Sequence, residues 1–181
     1  MDTPALLRIL RREFRLDWHG IHGAAHWARV RANGRALAAL TGARVDVVEA
    51  FAWVHDSQRH DDGRDPAHGL RAARWAETVN DTLLFLDGNG LALLTSACTD
   101  HSRGLREADI TVQTCWDADR LDLGRIGIRP DPRRLCTVPA ACDPELLEWA
   151  YQRSKRIPYR WEGSAVEDAD VDGLDGEAPV A

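Results

Sequence analysis

The sequence predicts an all-α fold, a bundle of about seven helices, and three observations lead to this prediction. Apolar residues recur at spacings of three and four through most of the chain, which is the period of a helix with one buried face. Only residues 109–112 alternate as a strand would, and this stretch is too short to build a sheet. Hydrophobic residues make up 44% of the 181 residues, which is enough for the core of one domain.

Four helices are predicted in the first half of the chain, with recognisable boundary residues. Gly42 suits the end of the second helix, Asp46 suits the N-cap of the third, and Pro66 suits the first turn of the fourth. The third helix is apolar on nearly every side, so we expect it in the core. The predicted segments are a first helix with Leu6, Leu7, Leu10 and Phe14 on one face, a second from about Gly23 to Leu40, a third from about Asp46 to Val54, and a fourth from Pro66 to about Val79.

The second half of the chain predicts further helices and then a tail. The helices are expected at Asp81–Leu86, Leu91–His101, Val112–Leu123 and Asp143–Lys155. Residues 162–181 hold seven acidic residues, no basic residue and almost no large apolar one. Such a composition cannot bury enough apolar surface to fold. We therefore expect a helical domain over 1–161 and a disordered acidic tail over 162–181.

Charge and hydropathy limit the partners of the predicted domain. The net charge of −6 belongs to the tail, because 1–161 carries 22 acidic residues, 29 less the seven in the tail, against 23 basic ones. No long basic run indicates binding to long nucleic acids. No apolar run approaches the roughly 20 residues that cross a bilayer, and the first 15 residues do not resemble a secretory signal. The four cysteines form no CxxC motif, so we expect a cytoplasmic protein with free, mostly buried thiols.

Histidine and aspartate residues at predicted helix ends are the candidates for chemistry. His55-Asp56 ends the apolar third helix, where an imidazole and a carboxylate need a partner. That partner is either a hydrogen-bonded neighbour or a divalent metal, which binds both groups. His60-Asp61 lies in the polar loop Ser57–Asp65, where solvation is sufficient. His22, His26, His68, His101 and Asp119 also lie near predicted helix ends, and such ends can meet at one cleft of a bundle.

The order His26, His55-Asp56, Asp119 resembles the H…HD…D signature of the HD superfamily of metal-dependent phosphohydrolases. The surrounding residues strengthen the resemblance, since His26-Trp27-Ala28-Arg29-Val30 is similar to the first-histidine helix of that family and Asp119-Arg120-Leu121 is similar to its closing segment. The resemblance covers roughly residues 20–125. It implies a helical HD-type bundle with a divalent metal (Mn, Mg, Co, Fe or Zn) held by His26, His55, Asp56 and Asp119.

The resemblance leaves the number of metals open. Some members of the superfamily bind two, with two further histidines between the HD pair and the last aspartate. His68 and His101 lie in that interval, although His101 is single where firm two-metal members carry paired histidines. The GYP motif of cyclic-dinucleotide hydrolases is absent, and Arg59 and His60 stand where alarmone hydrolases carry acids.

The resemblance implies hydrolysis of a small phosphorylated metabolite, with a nucleotide as the expected substrate. A bound divalent ion lowers the pKa of water towards about 7 and so generates hydroxide at neutral pH. Arg59 and Arg120, or Arg103, would suit the phosphate, since a guanidinium group matches two phosphate oxygens; Arg59 is otherwise an ordinary loop cation. His60 and Asp62 could protonate the leaving group, His22 could support the ligands, and Asp117 is expected to act as a cap or support.

Two other functions fit the same residues. The six ligand candidates could hold the two irons of an HD-fold oxygenase, which would bind iron at two equivalents. A non-catalytic sensor of metal or ligand would keep the fold and use the acidic tail to bind a partner. The sequence does not indicate an oligomeric state.

Overall fold

A computed structural model describes residues 1–155, and within them every regular element is helical, which confirms the predicted all-α class. The predicted tail at 162–181 and the domain boundary at 161 lie outside the described residues. Within 1–155, no helix is both long and apolar enough to cross a membrane. The helices are α1 Thr3–Glu13, α2 Ala24–Thr41, α3 Val45–Val54, α4 His68–Val79, α5 Gly88–Asp100, α6 Ile110–Arg120, α7 Val138–Cys142 and α8 Pro144–Ser154.

Local chemistry explains several of the helix boundaries. The Asp2 carboxylate accepts a hydrogen bond from the backbone N–H of Ala5 at 3.0 Å and thereby caps α1. Asp143 caps α8 in the same way, accepting from the backbone N–H of Leu146 at 3.0 Å. Gly42 ends α2 in the left-handed region, with φ of 73°, a conformation that costs glycine little.

Several predicted boundaries were wrong. Asp46 is not the N-cap of α3, because the helix begins at Val45 and Asp46 lies in its first turn. The helix expected at Asp81–Leu86 is a π-helical turn, Asn80–Leu84, which continues directly from α4. Its end is fixed by the Asn80 side chain, which donates to the carbonyl of Leu86 at 3.0 Å and accepts from its N–H at 3.1 Å. The fourth helix begins at His68 and not at Pro66. The short helix α7 was not predicted.

Helices α1 to α6 together form the main core. It is built around fully buried aromatic residues, namely Trp27 on α2, Phe51 and Trp53 on α3, and Trp116 on α6. The Trp116 indole N–H donates to the carbonyl of Ala97 at 3.0 Å and so fixes α6 against α5. A second, smaller apolar cluster packs α7 and α8 against the end of α2. All four cysteines are free; Cys98 and Cys115 are buried, but Cys136 is only partly buried and Cys142 is exposed, so the thiols are not mostly buried as predicted.

One close contact sets the spacing of α4 and α5. Gly69, the second residue of α4, lies so near α5 that a Cβ atom added to it would stand 2.2 Å from the carbonyl oxygen of Cys98. Only glycine permits this approach. Because His68 precedes Gly69 and His101 directly follows α5, the contact also brings these two histidines together.

Candidate metal centre

Six side chains from separate helix ends meet in the interior of the bundle. His26 comes from the first turn of α2, and His55 and Asp56 directly follow α3. Asp119 lies in the last turn of α6. With His68 at the start of α4 and His101 after α5, these are the six residues that the sequence predicted as metal ligands. Five of the six are buried and Asp119 is partly buried.

Two subsets of these side chains place their ligand atoms close enough to share one ion, namely His26, His55 and Asp119, and His55, Asp56 and His101. The Nε2 atoms of His26 and His55 are 3.2 Å apart. Asp56 Oδ2 lies 3.6 Å from His26 Nε2 and 3.7 Å from His55 Nε2. Asp119 Oδ1 lies 3.5 Å and 3.8 Å from the same two atoms. Ligands at roughly 2.1 Å from a metal lie about 3.0–3.4 Å apart in octahedral or tetrahedral arrangements, so these distances need only a small contraction.

The hydrogen bonds at the other ring nitrogens fix the direction of the imidazole lone pairs. His26 Nδ1 donates to Asp122 Oδ2 at 2.7 Å, and His55 Nδ1 donates to the carbonyl oxygen of Phe51 at 3.1 Å. In its neutral form each ring therefore carries its proton on Nδ1. The two Nε2 atoms then face each other as acceptors. A cation is the partner that satisfies both, and these buried histidines and aspartates could bind a metal ion.

Burial and charge keep the ligands in the states that bind metal. Burial lowers the pKa of His55 to about 3, so its ring is neutral at physiological pH. Burial acts to raise the pKa of Asp119, but the imidazoles and Arg125 bring it down to about 2. Burial likewise opposes ionisation of Asp56, but the imidazoles around it hold its pKa well below the usual range.

Asp122 supports the first ligand and was not among the predicted site residues. Besides accepting from His26, its carboxylate receives the Nε and Nη2 donors of Arg29 at 2.7 and 3.0 Å. Burial acts to raise the pKa of Asp122, but His26 and Arg29 lower it below its ordinary value. Such outer carboxylates fix the tautomer of a metal-binding histidine. The signal in the sequence was an acidic residue three positions after Asp119 in an apolar segment.

His68 and His101 form a second group around the other oxygen of Asp56. Their Nε2 atoms are 2.8 Å apart and lie 3.2 and 3.5 Å from Asp56 Oδ1. Their Nδ1 atoms donate to the carbonyl oxygens of Asp65 and Cys98. Asp56 therefore faces two pairs of imidazoles, one with each carboxylate oxygen. Burial opposes protonation of His101, but its hydrogen bond to Asp56 raises its pKa overall.

A cleft of about 720 Å³ opens onto this centre. Asp56, Asp119 and His101 lie at its floor, and Leu123 and Ile128 contribute apolar wall. Six arginines and three acidic residues line the cleft, and two of the acidic residues are candidate ligands. The arginines that line the cleft are Arg59, Arg106, Arg120, Arg125, Arg129 and Arg134.

Arg59 and Arg120 both line the cleft, but their guanidinium groups are engaged differently. Arg59 contacts the centre itself, with Nη1 3.2 Å from Asp56 Oδ1. Arg120 donates to the backbone carbonyls of Arg134 and Leu105 at 3.1 and 2.6 Å and so links the two segments that contain these residues. Arg103 is exposed, pairs with Asp100 at 2.9 Å and does not line this cleft.

The structure does not bring His60 and Asp62 to the ligands. The His60 side chain is exposed. Asp62 accepts a hydrogen bond from Nδ1 of the buried His22 at 2.8 Å, and the His22 ring lies 6.4 Å from that of His26. The role in protonating a leaving group was predicted for His60 and Asp62; the structure leaves the His60 side chain exposed and pairs Asp62 with His22 instead.

Asp117 has the supporting role that was expected of it. It is fully buried and accepts from the backbone N–H of Cys136 at 2.8 Å and from the N–H and hydroxyl of Thr137 at 2.7 and 2.9 Å. These bonds fix the segment that leads into α7.

Comparisons of the chain with family models, with curated proteins and with solved structures found no match.

Proposed function

We propose that this protein is a metal-dependent phosphohydrolase of the HD superfamily that cleaves a phosphate ester of a small metabolite such as a nucleotide. The observation that carries the proposal is the pair of facing Nε2 atoms of His26 and His55, 3.2 Å apart, with Asp56 and Asp119 beside them. Two imidazole nitrogens and two carboxylate oxygens suit Mn, Fe, Co or Zn, and Mg less well because it prefers oxygen ligands.

A divalent cation in this position supplies Lewis acidity and a water of lowered pKa. The chain supplies the rest of the environment. Arg59 and Arg125 lie next to the ligand carboxylates, with Arg125 Nη2 3.9 Å from Asp119 Oδ1. Guanidinium groups in such a position offset the charge that develops on phosphoryl oxygens.

The composition of the cleft supports an anionic substrate. Its many arginines give an excess of positive charge directly above the ligands, and a cleft of one sign concentrates ligands of the other. Arg106 and Arg134 lie at the exposed rim. The apolar side chains of Leu123 and Ile128 offer a surface for the organic part of a phosphate ester. These features favour a phosphorylated metabolite over an uncharged substrate.

An oxygenase with two irons is the second candidate, and one observation favours it. Asp56 presents Oδ2 to His26 and His55 and Oδ1 to His68 and His101, as a carboxylate that bridges two metals would. The two proposals differ in measurable properties. The oxygenase predicts two equivalents of iron and optical absorption that a Mn, Mg or Co phosphohydrolase lacks.

The test begins with elemental analysis of purified protein, followed by a phosphate-release screen over nucleotides and simpler phosphate esters with each metal added back. His55→Ala and Asp56→Ala should abolish both metal binding and phosphate release, because each removes a ligand atom from the centre. Thr99→Ala is a control, since the Thr99 hydroxyl donates to the carbonyl oxygen of Thr95 within α5. Wild-type turnover in either ligand variant would refute the assignment of the centre. Metal binding without release of phosphate from any ester would refute the activity.

A further inference from the structure

The guanidinium group of Arg59 lies inside the second group of ligands. Its side chain is 9% exposed, although the residue belongs to a polar loop after α3. Nη1 lies 3.2 Å from Asp56 Oδ1 and 3.2 Å from His68 Nε2. Asp56 Oδ1 is an acceptor, and so is His68 Nε2 in the tautomer that donates from Nδ1 to the carbonyl oxygen of Asp65. The guanidinium thus contacts two of the three groups that a second metal would bind.

The loop holds Arg59 in this position independently of the ligands. Nε donates to the carbonyl oxygen of Asp61 at 3.3 Å and Nη2 donates to that of Gly63 at 3.1 Å. All three guanidinium nitrogens therefore form hydrogen bonds, one with the ligands and two with the backbone of residues 61–63. A planar group already held at two points by the backbone loses little further freedom when it contacts Asp56.

A metal ion and this guanidinium exclude each other. A cation bound by His68 Nε2, His101 Nε2 and Asp56 Oδ1 would lie about 2.1 Å from each of them. Arg59 Nη1 is 3.2 Å from two of the same atoms, so its hydrogens would point at the ion. Both groups carry positive charge, and burial weakens the screening between them.

We infer that Arg59 takes the place of a second cation and keeps this centre mononuclear, with His68 and His101 holding Asp56 and the guanidinium in place of a metal. The inference rests on the proposed metal centre at His26, His55, Asp56 and Asp119. It assigns Arg59 as a positioning residue for Asp56 that also faces the cleft. A positive charge on the substrate side is then always present, and a centre with two metals is disfavoured.

The experiment counts Mn²⁺ ions on the full-length protein by isothermal titration and records the electron paramagnetic resonance spectrum, which separates an isolated Mn²⁺ from a coupled pair. Wild type and Arg59→Lys should bind one equivalent and give the isolated-ion spectrum, since lysine keeps a cation at this position. Arg59→Met and Arg59→Gln should bind a second equivalent and give the coupled spectrum. Adding His68→Ala to Arg59→Met should return the count to one.

The outcomes separate this inference from the proposed function. Two equivalents in wild type, or one in wild type and in every folded Arg59 variant, would overturn the role of Arg59 and leave the first metal position intact. No binding by wild type would overturn the metal centre and this inference with it. Arg103→Met is the matched control, because Arg103 is an exposed arginine outside the cleft, and it should bind one equivalent. If the Met and Gln variants do not fold, two equivalents in wild type would still overturn the inference.

Discussion

Replacing Asp122 by asparagine tests whether the hydrogen bond behind His26 determines metal affinity. The carboxylate accepts three hydrogen bonds, one from His26 and two from Arg29. Asparagine keeps the size but has one acceptor oxygen and an NH₂ group that cannot accept. If the NH₂ group faces His26, the ring proton moves to Nε2, which is the atom that the metal needs.

Asp122→Asn should change both the metal affinity and the melting temperature. Loss of an outer partner of a metal-binding histidine weakens affinity by about 10–100-fold, which is about 1.4–2.7 kcal/mol. The variant also leaves the buried Arg29 guanidinium without its counter-charge, and breaking a buried ion pair costs about 3–5 kcal/mol. With about 2–4 °C of melting temperature per kcal/mol in a protein of this size, we expect the metal-free variant to melt roughly 6–20 °C lower.

Asp117→Asn separates the two effects. Asp117, on α6, is as deeply buried as Asp122, which follows that helix, but its hydrogen bonds go to Cys136 and Thr137 and not to an imidazole. Both variants should lower the melting temperature in differential scanning calorimetry. Only Asp122→Asn should raise the Kd for Mn²⁺ in isothermal titration at a temperature where each variant is folded. Equal Kd values for wild type, Asp117→Asn and Asp122→Asn would refute the support of His26 by Asp122.

The remaining predictions concern a second His-Asp pair, helix packing and acid stability. His60→Ala should lower turnover less than tenfold in the phosphate-release assay, because the side chain is exposed and away from the ligands; a larger loss would give it an acid–base role. Gly69→Ala should destabilise the fold by about 1–3 kcal/mol in urea unfolding, since its Cβ would meet Cys98, whereas Gly88→Ala has open space and should not. In EDTA-treated protein, burial holds the pKa of His55 at about 3, so this residue takes up a proton on unfolding. The free energy of unfolding should therefore fall as the pH drops from about 6.5 towards 3. His55→Gln should flatten this dependence, and a pH profile identical to that of wild type would contradict it.

The fold class could be predicted from the sequence because its signal is local, and the errors occurred where distant or unusual contacts decide. Segment 80–86 has the composition of a helix end, but hydrogen bonds between Asn80 and Leu86 and the left-handed Phe85, with φ of 55°, turn it into a π-helical turn. Helix α7 spans five residues, which is too few for a periodic pattern to be read.

The ligands could be predicted from local signals in the sequence, but the residues that surround them could not. His55 and Asp56 stood out because polar groups at the end of an apolar helix require a partner. The role of Asp122 depends on Arg29, 93 residues earlier in the chain, and no spacing rule connects them. The arginines of the cleft come from separate loops around Arg106, Arg129 and Arg134, so their convergence is a property of the fold alone.

The packing beneath the centre explains why its geometry is set before any cation binds. The His55 ring stacks on Phe51, with centroids 4.7 Å apart, and donates to the carbonyl of that same residue. Phe51 is fully buried in the core. His26 precedes the equally buried Trp27, and α2 lies so close to α3 that a Cβ on Gly34 would stand 2.4 Å from Val48. Because side chains locked by packing hold ligand atoms within small tolerances, the two Nε2 atoms remain opposed in the metal-free protein. The free energy of binding a cation is then not spent on ordering the ligands.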